Sequence, residues 1–541
     1  MQWKTVAGGV VLSLSLLGPG AVAGESGWRE VAAPHVVLRT NLDSREAREA
    51  ALTVERYRAQ LIAAAWPRAN LPIGDAIEMT VFASRGDFEH YFTRRITGIF
   101  FHDLPPVAVM WGSAENWETR RFIASPETNS VLRHELTHHL ANSIFRRQPR
   151  WFSEGLAQFL ETVRPSDDGK SVIVGAANYE ALAKYARRRG LRVANVLAWK
   201  GKVDAWDPLT SNGLYGVSWA LVHWLYNVHS DQFGQLQALL AKGVDSEKAW
   251  KVILPALGTT NIDDTLADYI HGGRYQEFQL PLPPLPPMSI GERPLSEADV
   301  HATRGNMAIR AAYSLQSGAE IRKEAEQELA TALRLDPKNL LAELTQMRMV
   351  PPAERLGLAR ALVADHPEEG RAWLMLAGTL GPGSHDEQMN AVSKAVELLP
   401  DNALALSTKA AFLLEERKAA EAAPFAVRAA TVAPYSPPVL VTLAGVQAAL
   451  GRCTEAVASQ ARAMELLSEQ ASAQARQLFE AKLAEYQNHC VTPESSPAVS
   501  NAPAGSAATG PTAPAGAASP PGAPASSGAA SSAPPTPPSG K

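Results

Sequence analysis

The stretch Val131-Leu-Arg-His-Glu-Leu-Thr-His-His-Leu140 constrains this chain more than any other. On a helix, His134 and His138 lie one turn apart, so both imidazoles leave one face and can take the same metal ion, with Glu135 beside them. The chain holds 13 histidines in 541 residues, which gives on the order of 0.02 chance occurrences of His-Glu-x-x-His. Coincidence is a poor explanation of the pattern.

A catalytic zinc ion commonly has three protein ligands and leaves its fourth position open. The third donor is expected from Glu154 in Trp151-Phe-Ser-Glu-Gly-Leu-Ala-Gln-Phe159. Gln148-Pro149 should end the first helix and let a second, starting near Ser153, fold back against it. The 15 residues between His138 and Glu154 suit such a hairpin. Zinc acidifies water and polarises a carbonyl, and a neighbouring carboxylate that is not a ligand can take the proton and pass it on, which is the role Glu135 fits. His139 points about 100° away from His138 and reads as a surface or packing residue.

The Trp151–Ala157 run resembles the third-ligand segment of gluzincin metallopeptidases, in which the Glu of W-x-x-E-G-x-A completes a His-His-Glu site. The resemblance covers roughly residues 30 to 275, with a shorter spacing between the two segments than in the thermolysin-like and aminopeptidase branches. It implies an α+β metallopeptidase domain, a Zn2+ cofactor held by His134, His138 and Glu154, and a protein or peptide substrate. A downstream Tyr or His steadies the oxyanion in that family, and Tyr215 in Leu214-Tyr-Gly-Val-Ser-Trp-Ala-Leu-Val-His-Trp-Leu-Tyr226 resembles this element. Tyr215, Trp219 and His223 share one helical face, so core packing competes with catalysis as the reason for the stripe.

The remaining sequence bounds location and partners. Net charge is -4, with no basic footprint for nucleic acid. Residues 1–23 read as a signal peptide: Lys4, an apolar run from Val6 to Leu17, then Ala21-Val22-Ala23 before Gly24. Export to a periplasmic or extracellular location is expected, and no other apolar stretch has membrane length. Cys453 and Cys490 are the two cysteines; they are distant from the histidines and are equally readable as a bridge or as free thiols.

Along residues 24–275, strand patterns are expected at 34–40, 77–83, 107–112 and 171–174, and helices at 44–65, 85–92, 179–189 and 214–226. The gluzincin resemblance implies that the third strand borders the cleft and pairs with extended substrate, whereas the pattern alone equally allows a strand inside a sheet. Arg146, Arg147 and Arg150, between the two metal-site helices, read as a solvated turn or as a magnet for an anionic group. Gln279-Leu-Pro-Leu-Pro-Pro-Leu-Pro-Pro287 marks residues 276–299 as an extended linker.

From 300 to 490 the chain becomes Ala- and Leu-rich, with prolines recurring at 337, 367, 400 and 434. Those intervals of 30, 33 and 34, together with Trp373-x-x-Leu376-Ala377 and Leu450-Gly-Arg-Cys-Thr-Glu-Ala456, resemble tetratricopeptide repeats. The resemblance implies an all-α solenoid whose concave face holds a protein or peptide partner. Residues 491–541, almost wholly Pro, Ala, Ser and Gly, cannot bury enough surface to order themselves. The leading expectation is an exported zinc metallopeptidase with a recruiting repeat domain. Its alternatives are a scaffold with a vestigial site, or a zinc amidase acting on cell-wall peptide.

Overall fold

A computed structural model describes residues 27–491 except 70, 72–75, 93–97, 102–104, 120–128, 146, 200–207, 259–260, 316–317, 382 and 468–471. The expected signal segment and the Pro/Ala/Ser-rich tail lie outside the described residues. The described part opens with a hairpin, β1 (Arg29–Ala33) and β2 (Val36–Thr40), of which only the second strand was expected. Helix α1 (Ser44–Ala65) follows, its first turn capped by the Asp43 side chain accepting from the Glu46 amide. Next come β3 (Ile77–Phe82), α2 (Arg85–Tyr91), β4 (Gly98–Phe101) and β5 (Val107–Trp111).

The main sheet has six strands, and its sixth comes from far along the chain. Its order places β2, β3 and β5 in the interior and β4 on one edge, while Gly291–Pro294 pairs with β1 on the other. Successive residues of a strand face opposite sides. Ile77, Met79, Val81, Ala108 and Met110 therefore join the core under α1, whereas Phe82, Val107 and Val109 join a second core on the other face.

After the minor strands β6 (Glu118–Thr119) and β7 (Asn129–Ser130) come α3 (Val131–Ile144) and α4 (Arg150–Leu160), which carry the histidines and Glu154. Strands β8 (Arg164–Pro165) and β9 (Ser171–Val174) precede α5 (Tyr179–Ala186), α6 (Val193–Leu197) and α7 (Pro208–Val228). Helices α8 (Ser230–Ala241), α9 (Ser246–Ile253) and α10 (Ile262–Gly272) complete this part.

The expected extended linker pairs as strand at both of its ends. Strand β10 (Phe278–Pro281) pairs with β9, and β11 (Gly291–Pro294) is the strand that pairs with β1. Each uses the ends of the segment, where non-proline residues supply amide donors, and β11 is an edge strand, the position in a sheet that tolerates proline.

The repeats begin with α11 (Glu297–Leu315) and α12 (Gly318–Leu335). Val300, Met307, Ala308 and Ile309 of α11 pack onto Phe82, Phe88, Val107 and Val109, so the first repeat helix is also the second cover of the sheet. Then α13 (Leu340–Met349), α14 (Pro352–Asp365), α15 (Gly370–Thr379), α16 (His385–Leu398), α17 (Ala403–Glu415) and α18 (Ala419–Val432) alternate as helix pairs. The series ends with α19 (Pro437–Ala449), α20 (Cys453–Glu465) and α21 (Ala473–Val491). Asn339, Glu369 and Asn402 cap the helices that follow the turn prolines at 337, 367 and 400. Cys453 is disulfide-bonded, whereas the Cys490 side chain lies outside the described residues.

No described helix is long and apolar enough to cross a membrane. Contacts also join the far repeats to the α3–α4 hairpin: Arg147 pairs with Glu465 at 2.6 Å, and Arg462 reaches the Phe145 carbonyl at 3.5 Å.

Cutting the chain at residue 275 removes both partner strands and α11. Fully exposing Phe82, Phe88, Val107 and Val109 would cost about 6–12 kcal/mol, as much as a whole domain's typical stability. A protein ending at 275 is expected to be insoluble or to show no cooperative thermal transition, whereas one ending at 349 retains a transition. Equal melting behaviour of the two would remove the α11 cover from the account.

Candidate metal centre

Helix α3 starts where Ser130 accepts from the Arg133 amide, and it is anchored by Arg133, whose guanidinium lies 3.8 Å from the centre of the Tyr57 ring on α1. This fixes the face on which His134 and His138 emerge. Pro149 occupies the N-cap of α4, so α4 begins at Arg150, three residues ahead of the expected start. The early start places Glu154 in the second turn, opposite the imidazoles.

The three side chains meet. The His134 and His138 Nε2 atoms are 3.1 Å apart, and each is 3.6 Å from Glu154 Oε2. A tetrahedral zinc with bonds of about 2.0–2.1 Å sets neighbouring donors about 3.3 Å apart. The observed triangle is close to that figure, and its two nitrogens and one carboxylate oxygen are donors that zinc accepts. These three residues form the one His/Cys/Asp/Glu group of metal-binding proximity among the described residues.

Both far ring nitrogens are also held. His134 Nδ1 lies 2.7 Å from Glu161 Oε1, and Asn178 donates to the other Glu161 oxygen at 2.9 Å. His138 Nδ1 is 3.0 Å from Ser153 Oγ. Partners of this kind fix the ring orientation and the tautomer, leaving Nε2 lone pairs for a metal.

Charge and burial compete at the three donors. Burial opposes the charged His134 ring, but hydrogen bonds to Glu154 and Glu161, and the charges of Glu161 and Glu135, outweigh it and push the pKa up to about 10. Burial likewise opposes the Glu154 carboxylate, but the two histidines hold its pKa well below the usual range. Glu135 acts electrostatically on both His134 and Tyr215, which places its charge beside the triangle without making it a member.

Helix α7 brings Tyr215 to the cluster. Gly155 lets it approach: a Cβ there would sit 2.5 Å from the Ser218 carbonyl oxygen on α7. The Gln158 amide crosses the same gap to the Tyr215 carbonyl at 3.2 Å. The Tyr215 hydroxyl pKa is raised, first by burial and next by the Glu154 charge, while a hydrogen bond with Arg150 pulls the other way.

His223 is not part of the site. It is fully buried, with Nδ1 2.6 Å from the Tyr269 hydroxyl and Nε2 3.1 Å from the Gly175 carbonyl, and burial lowers its pKa to about 4. Both ring nitrogens are spent on packing. His139 turns towards Phe100 and Tyr435, with ring centres 6.0 and 6.5 Å away, in keeping with a packing role.

Of the two positions open to the third expected strand, the interior one is observed: β5 lies between β3 and β4, and the edge facing α3 belongs to β4, which the sequence pattern does not reveal. The arginines are not a solvated turn: Arg147 pairs with Asp245 and Glu465, and Arg150 lies 5.0 Å from the Trp199 ring centre. Arg146 lies outside the described residues. Glu161 and Ser153 do not stand out in the sequence, although Glu161 falls two turns after Glu154 on the same helix face; Arg150, one turn before Glu154, stands out only as one of the three arginines of the turn.

Residues 128–243, which span both metal-site helices, match the family described as "Protein of unknown function (DUF1570)". No curated protein matches the chain. Solved structures resemble about a third of it. One is a thermophilic TPR protein of Thermus thermophilus, TTC0263, with 17% identity over 35% of this chain and 99% of that chain and a TM-score of 0.27. Others are Pseudomonas aeruginosa PilF, with 15% identity over 36% and 90% and a TM-score of 0.28, and the type IV pilus biogenesis factor PilW, with 16% over 36% and 91% and a TM-score of 0.28.

Glu161→Gln keeps a hydrogen-bonding group but removes the charge behind His134. Zinc affinity, measured by competition with a chromophoric chelator, is expected to fall about 10- to 100-fold. Unchanged affinity would show that the Glu161 contact does not support a metal.

Proposed function

We propose that this chain is an exported zinc-dependent peptidase of gluzincin type, with His134, His138 and Glu154 as ligands. The observation that carries the reading is the triangle of donor atoms, 3.1 to 3.6 Å on a side, with both far ring nitrogens already engaged. A zinc ion held there would supply a Lewis acid that acidifies water and polarises a carbonyl. The residues around it would do the rest.

Glu135, one residue beyond His134 on α3, would take the proton of the attacking water and return it to the departing amine. Tyr215, steadied by Arg150, would donate its hydroxyl hydrogen to the oxygen that gains charge as the carbonyl carbon becomes tetrahedral. Its raised pKa suits that part, because the proton stays on the hydroxyl at neutral pH. The signal-like first 23 residues support export.

Glu135→Gln separates catalysis from binding. The variant is expected to retain one equivalent of zinc by elemental analysis while cleavage of a quenched peptide library falls by at least about 10²-fold. A library left uncut by the zinc-loaded wild type would overturn the peptidase reading.

Tyr215→Phe deletes one hydroxyl. It should lower kcat about 10²- to 10³-fold with little change in KM, because the oxygen it meets carries charge only in the transition state. A change confined to KM would assign Tyr215 to substrate binding instead.

A further inference from the structure

Helix α3 carries His134 and His138 on one side, and its other side borders a separate space. Leu140 and Ser143 line a largely enclosed cavity of about 50 Å3. Successive side chains turn by about 100° along a helix, which sets these two opposite the paired imidazoles. Helix α1 adds Arg58 to the lining, and the repeats close it with Ala403 at the start of α17 and Val432 at the end of α18. At this seam His139 and Tyr435 also meet, their ring centres 6.5 Å apart.

Arg58 sets the charge of the space. No carboxylate lines the cavity among the described residues. The buried carboxylate of Glu55 is near enough to act on Arg58 through its charge, but both of its oxygens are engaged by His35: Oε1 accepts the His35 amide at 2.7 Å, and Oε2 lies 2.8 Å from His35 Nδ1. Arg58 makes no hydrogen bond or ion pair with any of the described residues. Burial lowers its pKa below the ordinary guanidinium value, and the Glu55 charge opposes this without a bond. The guanidinium is thus partly removed from water without receiving an acceptor in exchange.

The lining narrows the class of acceptor. A guanidinium is a planar fork whose donors match the two oxygens of a carboxylate. One fixed positive charge suits one negative charge, whereas a dianion such as phosphate would carry uncompensated charge among apolar walls. Leu140, Ala403 and Val432 offer apolar surface to a short alkyl group. An amino acid would bring an ammonium group, for which the lining has no carboxylate. A water molecule needs about 10–15 Å3 of such space, so there is room for about four waters or one small ion.

We propose that this cavity binds a short-chain monocarboxylate of acetate or propionate size, its oxygens received by Arg58 with the Ser143 hydroxyl as a further donor. The ligand touches α1, α3 and the repeats together, so its binding fastens the repeats to the back of α3. The site requires neither a bound metal nor peptidase activity.

Saturation-transfer NMR on the full chain would follow the methyl signals of acetate and propionate at constant ionic strength, with phosphate and chloride as competitors. Saturable binding is expected, with a dissociation constant of about 0.1 mM or weaker, the range open to so few atoms. Arg58→Gln removes the charge and should weaken binding at least about tenfold. Val432→Phe fills the space from the repeat wall and should abolish it. Neither residue belongs to the His134, His138 and Glu154 cluster, so loss in both variants separates this cavity from carboxylate binding at a metal. Melting curves would verify that each variant is folded, and the ligand should raise the melting temperature of the wild type alone.

Loss of binding in both folded variants supports the site. The absence of saturable transfer in the wild type, binding that survives either substitution in folded protein, or equal displacement by phosphate or chloride would each overturn it. Survival would place the carboxylate elsewhere on the chain, and equal displacement would leave a site for any small anion.

Discussion

Two imidazole nitrogens held 3.1 Å apart inside a protein, with a carboxylate oxygen against both, form an arrangement that needs positive charge between them. Lone pairs brought together away from water repel and lose their hydration, a cost that a proton or a metal ion offsets. The surrounding fold serves to keep them there. Arg133 fastens α3 to α1, Pro149 fixes where α4 begins, and Glu161 and Ser153 hold the far sides of the rings. Gly155 contributes by lacking a side chain, which lets α7 lie against α4 and carry Tyr215 to the cluster.

Much of the centre was legible in the sequence because its geometry is local. Helical spacing alone places His134 and His138 together, and a proline-bounded hairpin brings Glu154 opposite them. Helix α1 was equally clear, since its cap and its apolar period coincide at Ser44–Ala65. Other features depend on residues distant in the chain. Nothing near Glu161 shows that Asn178 will hold its second oxygen. The fate of His223 was decided by Tyr269 and Gly175, and the period that placed it beside Tyr215 on one helical face could not say which of the two would approach the His134–His138–Glu154 cluster.

The sheet shows where local reading gives out. Strand β4, Gly98–Phe101, is short and lacks alternation, and it is defined by pairing with β5. The proline-rich run read as a spacer because prolines dominate its middle. Its ends nevertheless pair with β9 and β1, and the next helix buries a sheet face. The repeats are therefore not a module appended to a finished domain. Their first helix completes the earlier core.

The contact of Arg462 with the Phe145 carbonyl joins positions 317 residues apart, and the neighbouring Arg147–Glu465 pair fastens the bend between the two metal-site helices from the same side. During synthesis, that bend waits for residues late among the described ones to arrive. A half-made chain has the histidines but lacks the clasp on their hairpin, so maturation of the centre is tied to completion of the polypeptide.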